Sequence, residues 1–226
     1  MCSNRMKPLK TCAVIPAFNE EKNIANVVNE TKKHVDTVIV VDDGSTDKTP
    51  KEATKADIFL KHIVNMGKGF ALQTGVERAL MEDVNVIVCL DGDNQHNPGD
   101  IPKLVGALIE QDMDIVFGSR SLNGDMPWVL RFGNWWLCKS AQMLFGSSIS
   151  DSQTGFKAFR KETYDKIRWK SKSYSMDSEI IMRVGKNNLR HVQVPIKTHY
   201  HCGHKGTTII DGLRIFRDML FWRMWG

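Results

Sequence analysis

The residues best suited to chemistry form one octapeptide, Cys89-Leu90-Asp91-Gly92-Asp93-Asn94-Gln95-His96, in which an apolar run leads into two carboxylates separated by one glycine. Val84 to Leu90 is short and rich in β-branched residues, the composition of a buried strand. Residues two apart in extended chain project to the same side, so Asp91 and Asp93 would leave the carboxyl end of that strand together. Gly92 between them would let a ligand approach the backbone. Two carboxylates so placed repel each other unless a cation lies between them, and hard oxygen ligands suit magnesium or manganese. An ion there would also hold a substrate diphosphate. The plainer alternative is a turn after a strand, where Asp, Gly and Asn are common.

The elements that would position this pair alternate. Thr11 to Ala17 carries Cys12-Ala13-Val14-Ile15 and is read as a strand stopped by Pro16. Asn19 is expected to cap a helix reaching about Lys33, with Glu20 and Glu21 in its first turn and Ile24, Val27 and Val28 as its apolar stripe. Val38 to Val41 is a second strand, closed by Asp42-Asp43-Gly44-Ser45-Thr46-Asp47, and a helix follows. Ile58 to His62 is a third strand. It leads into Asn65-Met66-Gly67-Lys68-Gly69 and a helix to about Glu82, with Ala71, Leu72, Gly75, Val76 and Ala79 facing inward. The octapeptide ends the fourth strand, and a helix from Pro98 or Ile101 to about Gln111 comes next. Asp114 to Phe117 is a fifth strand, ending at Gly118-Ser119-Arg120. Alternating strands and helices predict an α/β fold with a parallel sheet covered on both faces by right-handed crossovers.

Ligands of such sheets bind at the carboxyl ends of the strands. Five polar clusters fall there: Phe18-Asn19-Glu20, Asp42-Asp43, Asn65 to Gly69, Asp91 to Gln95 and Ser119-Arg120. One shared site is the economical reading. The first strand-to-helix turn, Pro16-Ala17-Phe18-Asn19-Glu20, has no Gly-x-Gly-x-x-Gly, which removes the main signal for dinucleotide binding. The chain also lacks Gly-x-x-x-x-Gly-Lys-Ser/Thr, which disfavours a P-loop kinase or ATPase. Asn65 to Gly69 offers backbone amides and Lys68 to a phosphate, or is an ordinary helix-start loop with a solvated lysine.

The second half is different in character. Pro127 to Phe145 holds Trp128, Phe132, Trp135, Trp136 and Met143 around Arg131 and Lys139, too apolar for an ordinary exposed helix. It is either core or a surface for something greasy. Asp151-Ser152-Gln153-Thr154-Gly155-Phe156-Lys157 is a polar loop leading to Ala158-Phe159, Ser175 to Lys186 is expected to be helical, and His191 to Ile196 is read as a strand. From Thr207 to Trp225, Ile209, Leu213, Phe216 and Leu220 recur at helical spacing among Arg214, Arg217 and Arg223. This basic, aromatic helix either lies in a membrane interface or packs on its own domain. His199, His201, Cys202 and His204 do not match a standard zinc spacing, and a phosphate-facing loop containing Lys205 suits them better.

At 226 residues the chain is long enough for one substantial domain, and 42% apolar with 25% charged residues is ordinary for a globular protein. The net charge of +5 is modest and spread out, so nucleic-acid binding is not expected, while an anionic substrate or membrane surface suits it. Five cysteines with no Cys-x-x-Cys pattern point to reduced thiols and a cytoplasmic chain. No apolar run has signal-peptide or membrane-spanning length, so the chain is expected to be soluble or peripheral.

Taken in order, Val14 to Glu20, Val40 to Asp47, Asn65 with Gly67-Lys68-Gly69, Asp91-Gly92-Asp93 with Gln95, Gly118-Ser119-Arg120 and Asp151 to Lys157 resemble one family over most of the chain. It is the inverting glycosyltransferase family 2, and within it the polyprenyl-phosphate (dolichyl-phosphate) sugar synthases. The resemblance implies a GT-A fold over residues 1–206, with a mostly parallel Rossmann-like sheet flanked by helices, and a C-terminal amphipathic helix over 207–226. It implies that Pro16, Ala17, Phe18, Glu20, Val41, Asp43 and Asn65 hold the nucleoside. Asp91, Asp93 and Gln95 would carry Mg2+ or Mn2+, with Gly92, Lys68 and Lys205 at the diphosphate. Arg120 and Arg131 would receive the acceptor phosphate and, with Asp93, form the catalytic group. The family also places an arginine in its carboxy-terminal loop, where this chain has His199 or His201.

The loop Asp151 to Lys157 is similar to that of dolichyl-phosphate glucose synthases and other UDP-sugar enzymes, which favours UDP-glucose or UDP-N-acetylglucosamine and keeps GDP-mannose open. A lipid phosphate is already anionic and needs no strong base, whereas a sugar hydroxyl would need one, with Asp151, Asp177 and Glu179 as candidates. Membrane access is expected through the aromatic tail, the Trp128 to Phe145 segment or a membrane-protein partner, on the cytoplasmic face. The competing readings are a family 2 transferase acting on a sugar hydroxyl, a non-catalytic nucleotide-sugar-binding protein, and a sugar-phosphate nucleotidyltransferase. The last would be expected to carry a Gly-rich loop where Pro16 to Glu20 stands.

Overall fold

The computed structural model describes residues 8–120, 128–145, 149, 154–171, 175–198 and 209–225. The strands are β1 (Thr11–Ala17), β2 (Thr37–Asp42), β3 (Ile58–Lys61), β4 (Val86–Cys89), β5 (Ile115–Arg120), β6 (Lys157–Arg160) and β7 (His191–Ile196). The helices are α1 (Ile24–Thr31), α2 (Thr49–Ala53), α3 (Lys68–Leu80), α4 (Ile101–Glu110), α5 (Trp128–Phe145), α6 (Tyr164–Ile167), α7 (Ser175–Lys186) and α8 (Ile209–Trp225). The strands form one sheet in the order β3-β2-β1-β4-β6-β5-β7.

Period-two alternation in the central strands separates the two faces of this sheet. Cys12, Val14, Ile39, Val41, Ile87 and Cys89 face one way, beneath α3, α7 and α8. Ala13, Ile15, Val38, Val40, Val86 and Val88 face the other, beneath α1 and α4. All seven residues of β1 are buried, which is why its sequence reads as a continuous apolar run rather than an alternating one. Burial pushes the Cys12 and Cys89 thiols up to about 12, so both behave as inert core residues.

The sheet is mixed rather than wholly parallel. β6 runs antiparallel to both β4 and β5, wedged between them, while β7 pairs in parallel with β5. Lys157, expected as the end of a polar loop leading to Ala158-Phe159, instead opens β6, which is too short and too polar at its ends to show a strand period. Smaller differences lie at element ends. β4 is shorter than Val84 to Leu90, and β1 runs through Pro16 to Ala17. α1 starts at Ile24 and not after Asn19, because Asn19 has φ 56° and belongs to a loop instead.

In α8 the buried side chains are Ile215 and Met219, with Phe216 and Trp222 half-buried, whereas Leu220 and Phe221 are exposed. Of the expected stripe, Phe216 packs inward and Leu220 does not, since this helix carries apolar residues on more than one side, and the side chains of Ile209 and Leu213 lie outside the described residues. α8 packs on α5 and α7, with the Trp136 and Phe216 rings 4.3 Å apart. Among the described residues no helix is long and apolar enough to cross a membrane.

The tightest contact between layers is at Gly75 of α3, where an added Cβ would lie 2.3 Å from Val14 Cγ1. Overpacking of this kind costs about 1–3 kcal/mol, against roughly 1 kcal/mol that alanine gains over glycine in a helix. Gly75→Ala is therefore expected to lower the unfolding free energy by about 1 kcal/mol, read as a lower urea midpoint at unchanged slope. A raised midpoint would mean that α3 can lift off β1 freely.

Candidate active site

The carboxyl ends of β1, β2 and β4 are neighbours in the sheet, so the segments that leave them meet. Asp91 and Asp93 lie just past β4, and the backbone Leu90 N–H still donates to Val14 O. A Cβ on Gly92 would be 3.1 Å from Pro16 O and 3.3 Å from Ile24 Cδ1. The glycine is thus explained by the close approach of the β1 end, and not only by room for a ligand. From the opposite side, Gly155 presses on Asp91 so closely that a Cβ there would lie 2.3 Å from Asp91 Oδ2.

Asp91 is held electrostatically as well. Lys68, the first residue of α3, places Nζ 2.6 Å from Asp91 Oδ1, and His96 Nε2 lies 3.7 Å from Oδ2. Burial alone would raise this carboxyl, but Lys68 and then His96 outweigh it and hold it far below the usual carboxylate range. Asp93 behaves in the opposite way: burial and the neighbouring Asp91 charge push it above its ordinary 3.8. Its Oδ1 accepts from Gln95 N–H at 3.0 Å, with Asn94 turning the chain at φ 61°. A carboxylate whose charge is opposed in this way, beside a second one, fits a hard divalent cation. Among the described residues no group of three or more His, Cys, Asp or Glu side chains is placed to hold a metal.

Two loop clasps build the neighbouring wall. Asn19 N–H donates to Ser45 Oγ, Thr46 N–H to Asn19 Oδ1, Glu20 N–H to Thr49 Oγ1 and Lys48 N–H to Glu21 Oε2. This lacing ties Phe18 to Glu21 onto 45–49 and explains the positive φ of Asn19. Asp43 is buried, and its carboxylate accepts from Met66 N–H (2.9 Å) and Gly67 N–H (2.7 Å) while meeting His62 Nδ1 at 2.7 Å. It thereby fixes the loop that launches α3, where Gly67 takes φ 95°. Pro16 pairs with Val41 in the β1–β2 register, so Pro16, Ala17, Val41 and Asp43 come together, with Phe18 half-exposed beside them. Asn65 sits at Gly44, whose added Cβ would lie 2.8 Å from Asn65 N.

The structure thus brings Pro16, Ala17, Phe18, Glu20, Val41, Asp43, Asn65, Lys68, Asp91, Gly92, Asp93 and Gln95 to one end of the sheet. Arg120 is the last residue of β5 and Arg131 lies in α5, but their side chains fall outside the described residues. So do Lys205, Asp151 to Gln153, and the His199, His201, Cys202 and His204 group.

Two side chains, His96 and Lys157, get no role of their own from the sequence, and Asp177 gets only that of a candidate base for a hydroxyl acceptor. His96 is 5% exposed, meets the Phe156 ring at a tilt of 42° with centroids 5.4 Å apart, and has a buried Nδ1 with no hydrogen-bond partner among the described residues. Lys157 and Asp177 form a fully buried ion pair at 2.5 Å, at the end of β6 next to Gly155. The Gly155-Phe156-Lys157 run was visible in the sequence, but without β6 there was no reason to bring it to Asp91.

The geometry accords with the sequence pattern of glycosyl transferase family 2, which matches residues 12–168. The chain belongs to that family. It is 38% identical, over 92% of its length and 89% of the relative's, to an uncharacterized protein of Methanocaldococcus jannaschii. It is 35% identical to the UDP-N-acetylglucosamine–dolichyl-phosphate N-acetylglucosaminyltransferase of Methanococcus voltae, covering 93% of this chain and 95% of that one. The Mycobacterium tuberculosis glucosyl-3-phosphoglycerate synthase, solved with Mg2+ and UDP, superposes with a TM-score of 0.75 at 20% identity, over 96% of this chain and 79% of its own. The fold of this glycosyltransferase is accordingly GT-A.

The opposed shifts of Asp91 and Asp93 give a testable sign. Asp93 binds its proton more tightly in the folded protein than in the unfolded chain. Its favourable contribution is therefore present at low pH and lost as pH rises from 3.8 through its raised folded value. With divalent cations chelated, Asp93→Asn is expected to raise the melting temperature at neutral pH by about 1–3 °C. A lower melting temperature would contradict the repulsion described here.

Proposed function

We propose that this glycosyltransferase moves a hexose or N-acetylhexosamine, with inversion, from a UDP-sugar to a polyprenyl (dolichyl) phosphate. The observation that carries the reading is the Lys68–Asp91 pair beside Asp93 at the carboxyl end of β4, a cation-and-carboxylate arrangement suited to a diphosphate. The 35% identity to the Methanococcus voltae enzyme over nearly the whole of both chains favours UDP-N-acetylglucosamine as donor.

Pro16, Ala17, Phe18, Glu20, Val41, Asp43 and Asn65 line the nucleoside's place. Asp91, Asp93 and Gln95 hold Mg2+ or Mn2+, and Gly92 lies against them. Bound there, the ion neutralises charge developing on the departing nucleoside diphosphate. Lys68 adds a fixed positive charge to the same phosphates, joined by Lys205. Arg120 and Arg131 receive the acceptor phosphate, whose oxygen is anionic near neutral pH and attacks without a strong base. In keeping with this, two of the carboxylates that a hydroxyl acceptor would need as base are already engaged. Asp177 is paired with Lys157, and Glu179 accepts from Lys170 N–H, Ser171 N–H and Oγ, and Arg183.

The lipid acceptor is reached from the cytoplasmic face of the membrane. Trp135 and Met143 of α5 and Leu220 and Phe221 of α8 are exposed, and α8 also carries Arg223 and Arg217, the latter paired with Asp218. Such a surface favours the interface of an anionic bilayer. Co-sedimentation with anionic phospholipid vesicles is expected, weakened several-fold by Phe221→Ser with Trp135→Ser. Binding unaffected by the pair would remove this surface from the account.

The central test offers UDP-N-acetylglucosamine, UDP-glucose and GDP-mannose in turn with a polyprenyl phosphate and Mn2+ or Mg2+. Lipid-linked N-acetylglucosamine is the expected product, and Asp93→Asn is expected to lower its formation by at least about 10²-fold. No lipid-linked sugar from any donor would end this reading, product from GDP-mannose alone would change the donor, and full activity in Asp93→Asn would remove its metal role.

A further inference from the structure

Asp177 and Glu179, two residues apart near the start of α7, reach in different directions, and each path ends at Asp91. Through Asp177 the helix holds Lys157, next to the Gly155 backbone that presses on Asp91. Through Glu179 it holds the segment after α6. The buried Glu179 carboxylate accepts from Lys170 N–H at 3.0 Å, Ser171 N–H at 2.9 Å and Ser171 Oγ at 2.7 Å, and is paired with Arg183 at 2.8 Å. This segment grips α3 twice. Arg168 pairs with Glu77 at 2.6 Å, and the indole N–H of Trp169 donates to Gly69 O at 2.8 Å. Trp169 is 1% exposed and packs edge-on against Tyr164 at 5.7 Å, so its donor is aimed by the core.

Gly69 lies in the first turn of α3, immediately after Lys68. That turn has no side-chain cap and begins at a glycine with φ 95°, so its own sequence holds it weakly. Asp43 secures it from the β2 side. Trp169 secures it from the other.

We propose that Trp169 and Glu179 are positioning residues that hold the start of α3 so that the Lys68 ammonium meets Asp91 and the donor diphosphate. This rests on the reading above in which Lys68 contacts that diphosphate. Neither Trp169 nor Glu179 touches the donor; both act through Lys68.

The test is a double-mutant cycle on UDP affinity, measured by titration calorimetry in magnesium buffer. Trp169→Phe keeps an aromatic ring in place and removes the N–H donor together with the pyrrole part of the indole, and is expected to raise the UDP Kd about fivefold. Lys68→Met weakens UDP more. Adding Trp169→Phe to Lys68→Met is expected to change nothing further, because a residue acting through Lys68 has no effect in its absence. The same fivefold loss in both backgrounds, or full affinity in Trp169→Phe, overturns the proposal. Glu179→Gln, at the far end of the path, is expected to reproduce the loss, and serves if Trp169→Phe does not fold.

Hydrogen exchange with no nucleotide present separates this proposal from the donor reading. Amides of residues 69–73 are expected to exchange faster in Trp169→Phe while those of β1 do not change. Unchanged exchange overturns the brace whatever the nucleotide results. Failure of the unaltered protein to bind UDP, with exchange altered as expected, overturns only the donor reading.

Discussion

Two carboxylates at the end of a buried strand repel each other, and most of the surrounding structure can be understood as the means of keeping them there. Lys68 lies 2.6 Å from one of them, so that Asp91 is held ionised although burial opposes its charge. The other, Asp93, is left with its charge opposed by burial and by Asp91. The asymmetry leaves Asp91 compensated by a neighbouring ammonium and Asp93 with a raised proton affinity.

Delivering a lysine to that point requires a helix that starts at the right place, and the start of α3 is not strong by itself. Its cap residue is Gly67 at φ 95°, and the two amides at 66 and 67 are fixed by the Asp43 carboxylate from the neighbouring strand. Gly75 lets the same helix lie directly on β1. The clasp between 19–21 and 45–49 stiffens the adjoining loops with backbone-to-side-chain hydrogen bonds, so this end of the sheet is prearranged rather than waiting on a ligand to order it.

The antiparallel strand β6 gives the site its other wall. Entering between β4 and β5, it brings Gly155 against Asp91 and buries Lys157, which must then be paired, and Asp177 of α7 supplies the charge. A buried ion pair adds little net stability over an apolar pair, but removing one partner costs about 3–5 kcal/mol, so it fixes geometry more than it strengthens the fold. One consequence is chemical. Asp177 and Glu179, the described carboxylates suited by sequence to deprotonate a hydroxyl, are occupied with structure instead.

Much of this was legible without coordinates. Continuous apolar runs ending in Asp, Asn and Gly marked β1, β2 and β4, and the parallel α/β rule then put Asp43, Lys68, Asp91 and Asp93 at one end of one sheet. α7 and β7 matched their expected bounds because their patterns are regular and their neighbours punctuate them. α1 starts later than its pattern suggests, and Leu220 of the α8 stripe faces outward. A helical period does not say which of two apolar sides faces the core, and Asn19 suits a loop with positive φ as well as a cap. The sequence by itself determined the strand ends and the residue types gathered there, since both follow from local pattern. Tertiary structure alone decided that a four-residue antiparallel strand would enter beside β4, that Trp169 would reach Gly69 from 100 residues away, and that the Asp177 and Glu179 carboxylates would be consumed by Lys157 and by the 170–171 backbone. The physical reason is that contacts between residues so distant in the chain arise from packing of the whole sheet and leave no periodicity in the segments that make them.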